Sequence, residues 1–104
     1  MARFDVYPNP TVSERRHTPY LLDVQNDHLQ GLDSRVVIPL RTRQAMPRLS
    51  EVLNPLVEIE GRQVVVDTAS LAPVPALMLR QPVLKATGLG LELADALDTL
   101  FGSH

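Results

Sequence analysis

The chain has 104 residues, 44% of them apolar, with two Tyr, two Phe, no Trp, no Cys and a formal charge of −2. That length suffices for one domain burying roughly two thirds of its unfolded surface, and the lack of cysteine excludes disulfides, thiolate nucleophiles and Cys-based zinc sites. The acidic balance and scarce aromatics argue against binding nucleic acid through phosphate attraction or base stacking, and no apolar run approaches a membrane span or a leader segment, so a single cytoplasmic domain over 1–104 is expected.

In chain order, RFDVYP sets Phe4 and Val6 against Asp5 and Tyr7 with the period of two of a strand, and YPNP closes it. YLLDVQ places Leu22 and Val24 opposite Leu21 and Asp23, and SRVVIPL is a continuous apolar run ending near a proline. TRQAMPRLSEVL carries Pro47 in its middle and allows at best a short broken helix. PLVEIEG and RQVVVDT flank a Glu60-Gly61 turn, the pattern of a hairpin, while the two prolines of PVPALML suit an edge or a strand start. Short strands with turn signals every ten or so residues predict a mainly β fold, a compact antiparallel sheet or open barrel.

From Gly90 onward the pattern changes. Leu93, Leu97 and Leu100 recur at helical steps, joined by Ala94, Ala96 and Phe101, while Glu92, Asp95 and Asp98 step by three along another side. One C-terminal helix with an apolar stripe for the sheet and an acidic stripe is predicted. Asp98 falls near the negative end of its dipole, where a carboxylate is mildly unfavourable and would be relieved by an incoming cation. The bases are distributed differently: Arg35, Arg41, Arg43 and Arg48 fall in a stretch with no acid between them, a basic region suited to a partner of opposite charge.

The chain offers little catalytic chemistry. His17, His28 and His104 share no metal-ligand spacing, and the zinc-protease, nucleophile-elbow and phosphate-loop patterns are missing. Asp23 and Asp27, four residues apart on a strand, are separated by about 13 Å, too far for an acid and base dyad. No catalytic residue, metal or cofactor is assigned. The alternative left open is an arginine and hydroxyl constellation of the kind ribonucleases use, assembled in three dimensions.

The blocks LLDVQNDHLQGLDSRVVIPL, RFDVYPNP and PLVEIEGRQVVVDTASLAPVPALML, followed by a final helix with Phe101 near its end, resemble the CcdB family of toxins in order along nearly the whole chain. The resemblance implies a small twisted antiparallel sheet of the SH3-like barrel type with a C-terminal helix, shared with the MazF and Kid ribonucleases. It also implies a two-fold homodimer. Such a toxin is not an enzyme; it binds the A subunit of DNA gyrase, traps the cleaved-DNA complex, and is neutralised by a disordered segment of a CcdA-like antitoxin. The resemblance carries gyrase contacts onto His28 and Leu29 and onto Asp98, Phe101, Gly102, Ser103 and His104. The last three stand where the family pattern has Trp-Gly-Ile, so a weakened contact is expected. Arg35, Arg41, Arg43 and Arg48 become the expected antitoxin-binding positions. A MazF-like endoribonuclease on the same fold is the runner-up.

Overall fold

The computed structural model describes residues 1–29 and 31–102. Seven strands among them, β1 (Asp5–Pro8), β2 (Tyr20–Asp23), β3 (Ser34–Thr42), β4 (Leu56–Ile59), β5 (Arg62–Val66), β6 (Ala72–Pro75) and β7 (Leu84–Lys85), precede one helix, α1 (Gly90–Phe101). The strands form one antiparallel, barrel-like sheet in the order β4-β5-β3-β2-β1-β7, with β6 also paired to β3. This is the mainly β fold with a C-terminal helix that the sequence predicts. The two-residue β7, paired to Asp5 and Val6, carried no periodic signal of its own.

The sheet turns on β3. Along one edge it pairs β2 from Tyr20↔Leu40 to Asp23↔Val37. Its other edge is divided: residues from Leu40 to Thr42 take β5, and residues from Ser34 to Val37 take β6. A strand that serves two partners on one edge makes a corner, so the sheet curls instead of lying open. Pro39 sits at that corner. Its carbonyl accepts the Asp67 N–H at 3.1 Å, and since N–H and C=O of one strand residue share an edge, the missing N–H falls where pairing passes from β6 to β5. A proline is therefore tolerated inside a central strand.

Alternation along the strands supplies two cores. Val6, Leu22, Ile38, Leu40, Val64 and Val66 face inward with Ile59, and Leu89 and Leu93 close this larger core from the helical side. On the opposite face Tyr7, Leu21, Val37 and Leu79 form a smaller cluster, with Val74 against it. Both faces of β1 and β2 are thus covered, and Asp5 and Asp23, which alternation alone would set toward solvent, are buried.

Glu60 and Gly61 make the hairpin turn with φ of 52° and 79°, the left-handed pair of a type I′ turn. Glu60 holds that unfavourable conformation while its Oε1 accepts the Tyr20 hydroxyl at 2.6 Å. Between β3 and β4 the chain runs in turns with no helical segment. Pro47 has no N–H to give to a helix and biases its neighbour away from helical angles.

Within α1, Leu93 and Ala96 are buried, Leu97 and Leu100 half-buried, and Glu92, Asp95 and Asp98 exposed, as the two stripes predict. Ala94 and Phe101 depart from the expected docked stripe: both are exposed, Ala94 because it lies a step round the helix from buried Leu93, Phe101 because it stands at the helix end. Gly102, at φ 76°, ends the helix by donating its N–H to the carbonyls of Asp98 and Thr99. A left-handed residue at this position is the ordinary glycine stop.

Candidate functional site

Three surfaces carry the residues singled out by sequence. The first is the end of α1. Phe101 is 69% exposed, and Asp98, one turn earlier, is exposed without an ion pair among the described residues. An aromatic left in water beside a carboxylate forms a surface that buries area and selects a cation at once. Gly102 ends the helix at this tip. Ser103 and His104 lie outside the described residues.

The second surface is the 3₁₀ turn Asp27–Leu29. His28 and Leu29 are both exposed, Leu29 at 51%. The turn is held from several sides: Asn26 Oδ1 accepts the His28 N–H at 2.8 Å, Asp27 Oδ1 accepts the Arg3 N–H at 2.7 Å, and Gln25 Nε2 donates to the Leu29 carbonyl at 3.3 Å. Gln25 Oε1 in turn accepts the Val36 N–H at 3.0 Å, so a buried amide clamps the turn to β3. The exposed side chains therefore stand on a fixed backbone. No hydrogen bond or ion pair among the described residues joins this turn to the helix tip.

The third surface, the basic stretch, is not continuous. Arg35 is 3% exposed, and its Nε and Nη2 donate to the two oxygens of fully buried Asp23 at 2.8 and 2.9 Å. The Asp23 carboxylate holds the guanidinium even more firmly in its charged form than usual. Such a bidentate pair satisfies itself. Arg35 is thus corrected from an exposed basic residue to an interior one, because it shares a face of β3 with Val37, the ladder partner of Asp23, and reaches that carboxylate diagonally. Arg41 is also engaged: its Nε donates to Asp67 Oδ2 at 2.7 Å and its Nη1 to Thr18 Oγ1 at 2.6 Å, with Ser70 Oγ donating to the same Asp67 oxygen at 2.7 Å. Only Arg43 and Arg48 of the four remain exposed without a carboxylate. Arg43 curls back, donating to the Met46 carbonyl at 2.5 Å.

The same geometry bears on the other candidates. Asp23 and Asp27 are separated in role, one in the buried pair and one capping Arg3, and make no dyad. Among the described residues no group of acids and histidines is arranged to hold a metal ion. Arginine, threonine and serine do assemble around Asp67, whose carboxylate partly screens Arg41. The buried pair and the amide clamp were missed by sequence reasoning, and the one available signal was a charge of opposite sign within each of two apolar runs, Asp23 in YLLDV and Arg35 in SRVVI.

Among the described residues no helix is long and apolar enough to cross a membrane. No curated protein matches the chain. The family model described as CcdB protein matches residues 3–102, which takes in both cores, the Asp27–Leu29 turn and the whole of α1. With that span, the chain belongs to the CcdB family, toxins of toxin-antitoxin systems.

Proposed function

We propose that this chain is a gyrase poison of the CcdB kind, a homodimer that binds the gyrase A subunit, stabilises the cleaved-DNA complex and is neutralised by a CcdA-like antitoxin. The observation that carries the reading is the outward Phe101 at the end of α1, inside the family match. A phenyl ring 69% exposed at a glycine-stopped helix end gains by covering, and a partner supplies the cover. Asp98 adds a charge for a cationic side chain on that partner, and the clamped turn offers His28 and Leu29 as a second contact.

The mechanism asks no bond-making of the toxin. It binds the enzyme in the state with open DNA and lowers that state's free energy relative to the resealed one, so the population shifts by the difference in affinity. Gly102, Ser103 and His104 bring little apolar area in place of an indole and an isoleucine, which makes the contact weak for its class. The antitoxin reading rests on the exposed bases Arg43 and Arg48, with Arg41 half available, and no longer on Arg35.

The test compares the chain in a gyrase supercoiling assay with its effect on purified RNA. The expected result is inhibition of supercoiling with accumulation of cleaved DNA, and intact RNA. RNA cleavage with unaffected gyrase would overturn the reading in favour of an endoribonuclease.

A further inference from the structure

The path of the sheet ends at β4, which pairs β5 along one edge only. One hydrogen bond settles which of its backbone groups that pairing uses: Val66 donates its N–H to the Pro55 carbonyl at 2.9 Å. In an antiparallel ladder hydrogen-bonded and open pairs alternate, so the register continues with Leu56↔Val65 open, Val57↔Val64 bonded, Glu58↔Gln63 open and Ile59↔Arg62 bonded. Val57 and Ile59 give their N–H and C=O groups to β5. Leu56 and Glu58 turn theirs to the other side, where no group among the described residues meets them. A row of this kind is a template for a further strand.

The side chains around the edge select what can be added. Val57 and Ile59 face the larger core, whereas Leu56, 41% exposed, and Glu58 stand on the outer face. At the start of the strand, buried Pro55 joins Glu51, Val52, Glu92 and Asp95 around a cleft of about 140 Å³ between the turn before β4 and α1. No basic residue lines that cleft, and none of Glu51, Glu58, Glu92 and Asp95 makes an ion pair among the described residues. Carboxylates gathered in this way repel one another, and a cation between them relieves the repulsion.

A second copy of the chain is a poor occupant. Two β4 strands paired about a two-fold axis bring the acids of both copies to one seam, where like charges oppose pairing. The opposite end of the sheet, β7, is two residues long, and its Lys85 Nζ lies 3.2 Å from Asp5 Oδ1. We propose that the free edge of β4 takes an extended, basic and β-branched segment of a partner protein as an added strand, its backbone paired with Leu56 and Glu58 and a lysine or arginine seated among Glu51, Glu92 and Asp95. Main-chain hydrogen bonds hold such a strand, and the acids on both sides of the edge set the sign of its charge. This surface is opposite in charge to exposed Arg43 and Arg48, so its ligand differs from the antitoxin segment assigned to them.

The test uses the full chain and a fluorescein-labelled eight-residue peptide of alternating Lys and Val. A Glu/Val peptide and a Lys/Val peptide N-methylated at every backbone nitrogen serve as comparisons. Binding of the Lys/Val peptide is expected, with both comparison peptides weaker by about tenfold or more. Leu56→Pro removes an outward N–H without taking a bond from the β5 ladder, and it should weaken binding about tenfold, as should Glu92→Lys with Asp95→Lys. An unchanged thermal melt shows that these variants are folded, and the N-methylated peptide decides the question on the unaltered chain. Absent Lys/Val binding overturns the proposal. Equal binding of the N-methylated peptide does so too, because charge alone then holds the ligand, and equal binding of the Glu/Val peptide removes the acids from the recognition. Self-association of the unaltered chain that Leu56→Pro abolishes also overturns it, since a second copy then fills the edge.

Discussion

Arg35 and Arg41 lie on the same strand, six residues apart and so on the same face, yet their side chains are 3% and 30% exposed. Around Arg35 the strand is flanked by β2 and β6, with Val74 opposite in one ladder and Asp23 reached diagonally across the other. Around Arg41 the neighbours are the end of β5 and the Asp67 turn, where the sheet opens to water. Two residues further on, Arg43 has left the ladder and is exposed. The same side chain is an interior strut, a half-screened surface charge and a solvated charge within nine positions. What separates them is what packs alongside each position: β2 and β6 at Arg35, β5 and the Asp67 turn at Arg41, and no strand at Arg43.

The most severe way to break the comparison is to remove the strut's counter-charge. Asp23→Ala should destabilise the chain by about 3–5 kcal/mol in urea unfolding, because it strands a buried guanidinium, whereas Asp67→Ala beside Arg41 should cost no more than about 1 kcal/mol. Replacing both members of the pair, Asp23→Leu with Arg35→Met, should recover much of the loss. If Asp67→Ala costs as much as Asp23→Ala, burial does not distinguish the two arginines.

A second distinction concerns pH. Tyr7, in the same buried cluster, has its hydroxyl pushed up from 10.0 to about 12, first by burial and then by the negative charges of Asp5 and Asp23. Below pH 10 this favours the folded state fully; as pH rises toward 12 the unfolded chain loses its phenolic proton while the native one keeps it, so stability falls. Denaturant midpoints measured across that window should decline, and Tyr7→Phe should make the decline shallower. An identical slope in the variant would detach Tyr7 from the cluster's energetics.

At the helix tip the expectation inverts. Phe101→Ala should leave unfolding within about 0.5 kcal/mol of the unaltered chain, as an exposed residue does, but weaken gyrase inhibition about tenfold. A large loss of stability would mean the ring packs in the monomer after all. Gly102→Ala should cost about 1 kcal/mol through its left-handed angle, a backbone effect separable from any contact. The smallest effect is kinetic: Arg43→Glu with Arg48→Glu should slow antitoxin association several-fold at low salt, with little change at high salt. Arg35→Met, by contrast, should leave that rate unaltered in whatever fraction remains folded.

Periodicity was enough for the helix from Gly90, for its acidic stripe, for the Leu93, Ala96, Leu97 and Leu100 part of its apolar stripe and for the hairpin at Glu60-Gly61, because each depends on residues within a turn or two of one another. Family resemblance in RFDVYPNP, LDVQND and VVIPL was enough for the barrel type. The outward ring of Phe101 stands at the end of a correctly read helix. Burial was not legible in the same way. Whether Arg35 meets Asp23, whether Pro39 interrupts a ladder, and whether Leu77 or Leu79 enters the interior depend on which strand lies alongside and which turn folds over. Those are contacts between residues far apart in the chain. Local pattern determined which elements form and which side chains share a face; only the packing of one element on another decided which charges are neutralised inside and which remain for a partner.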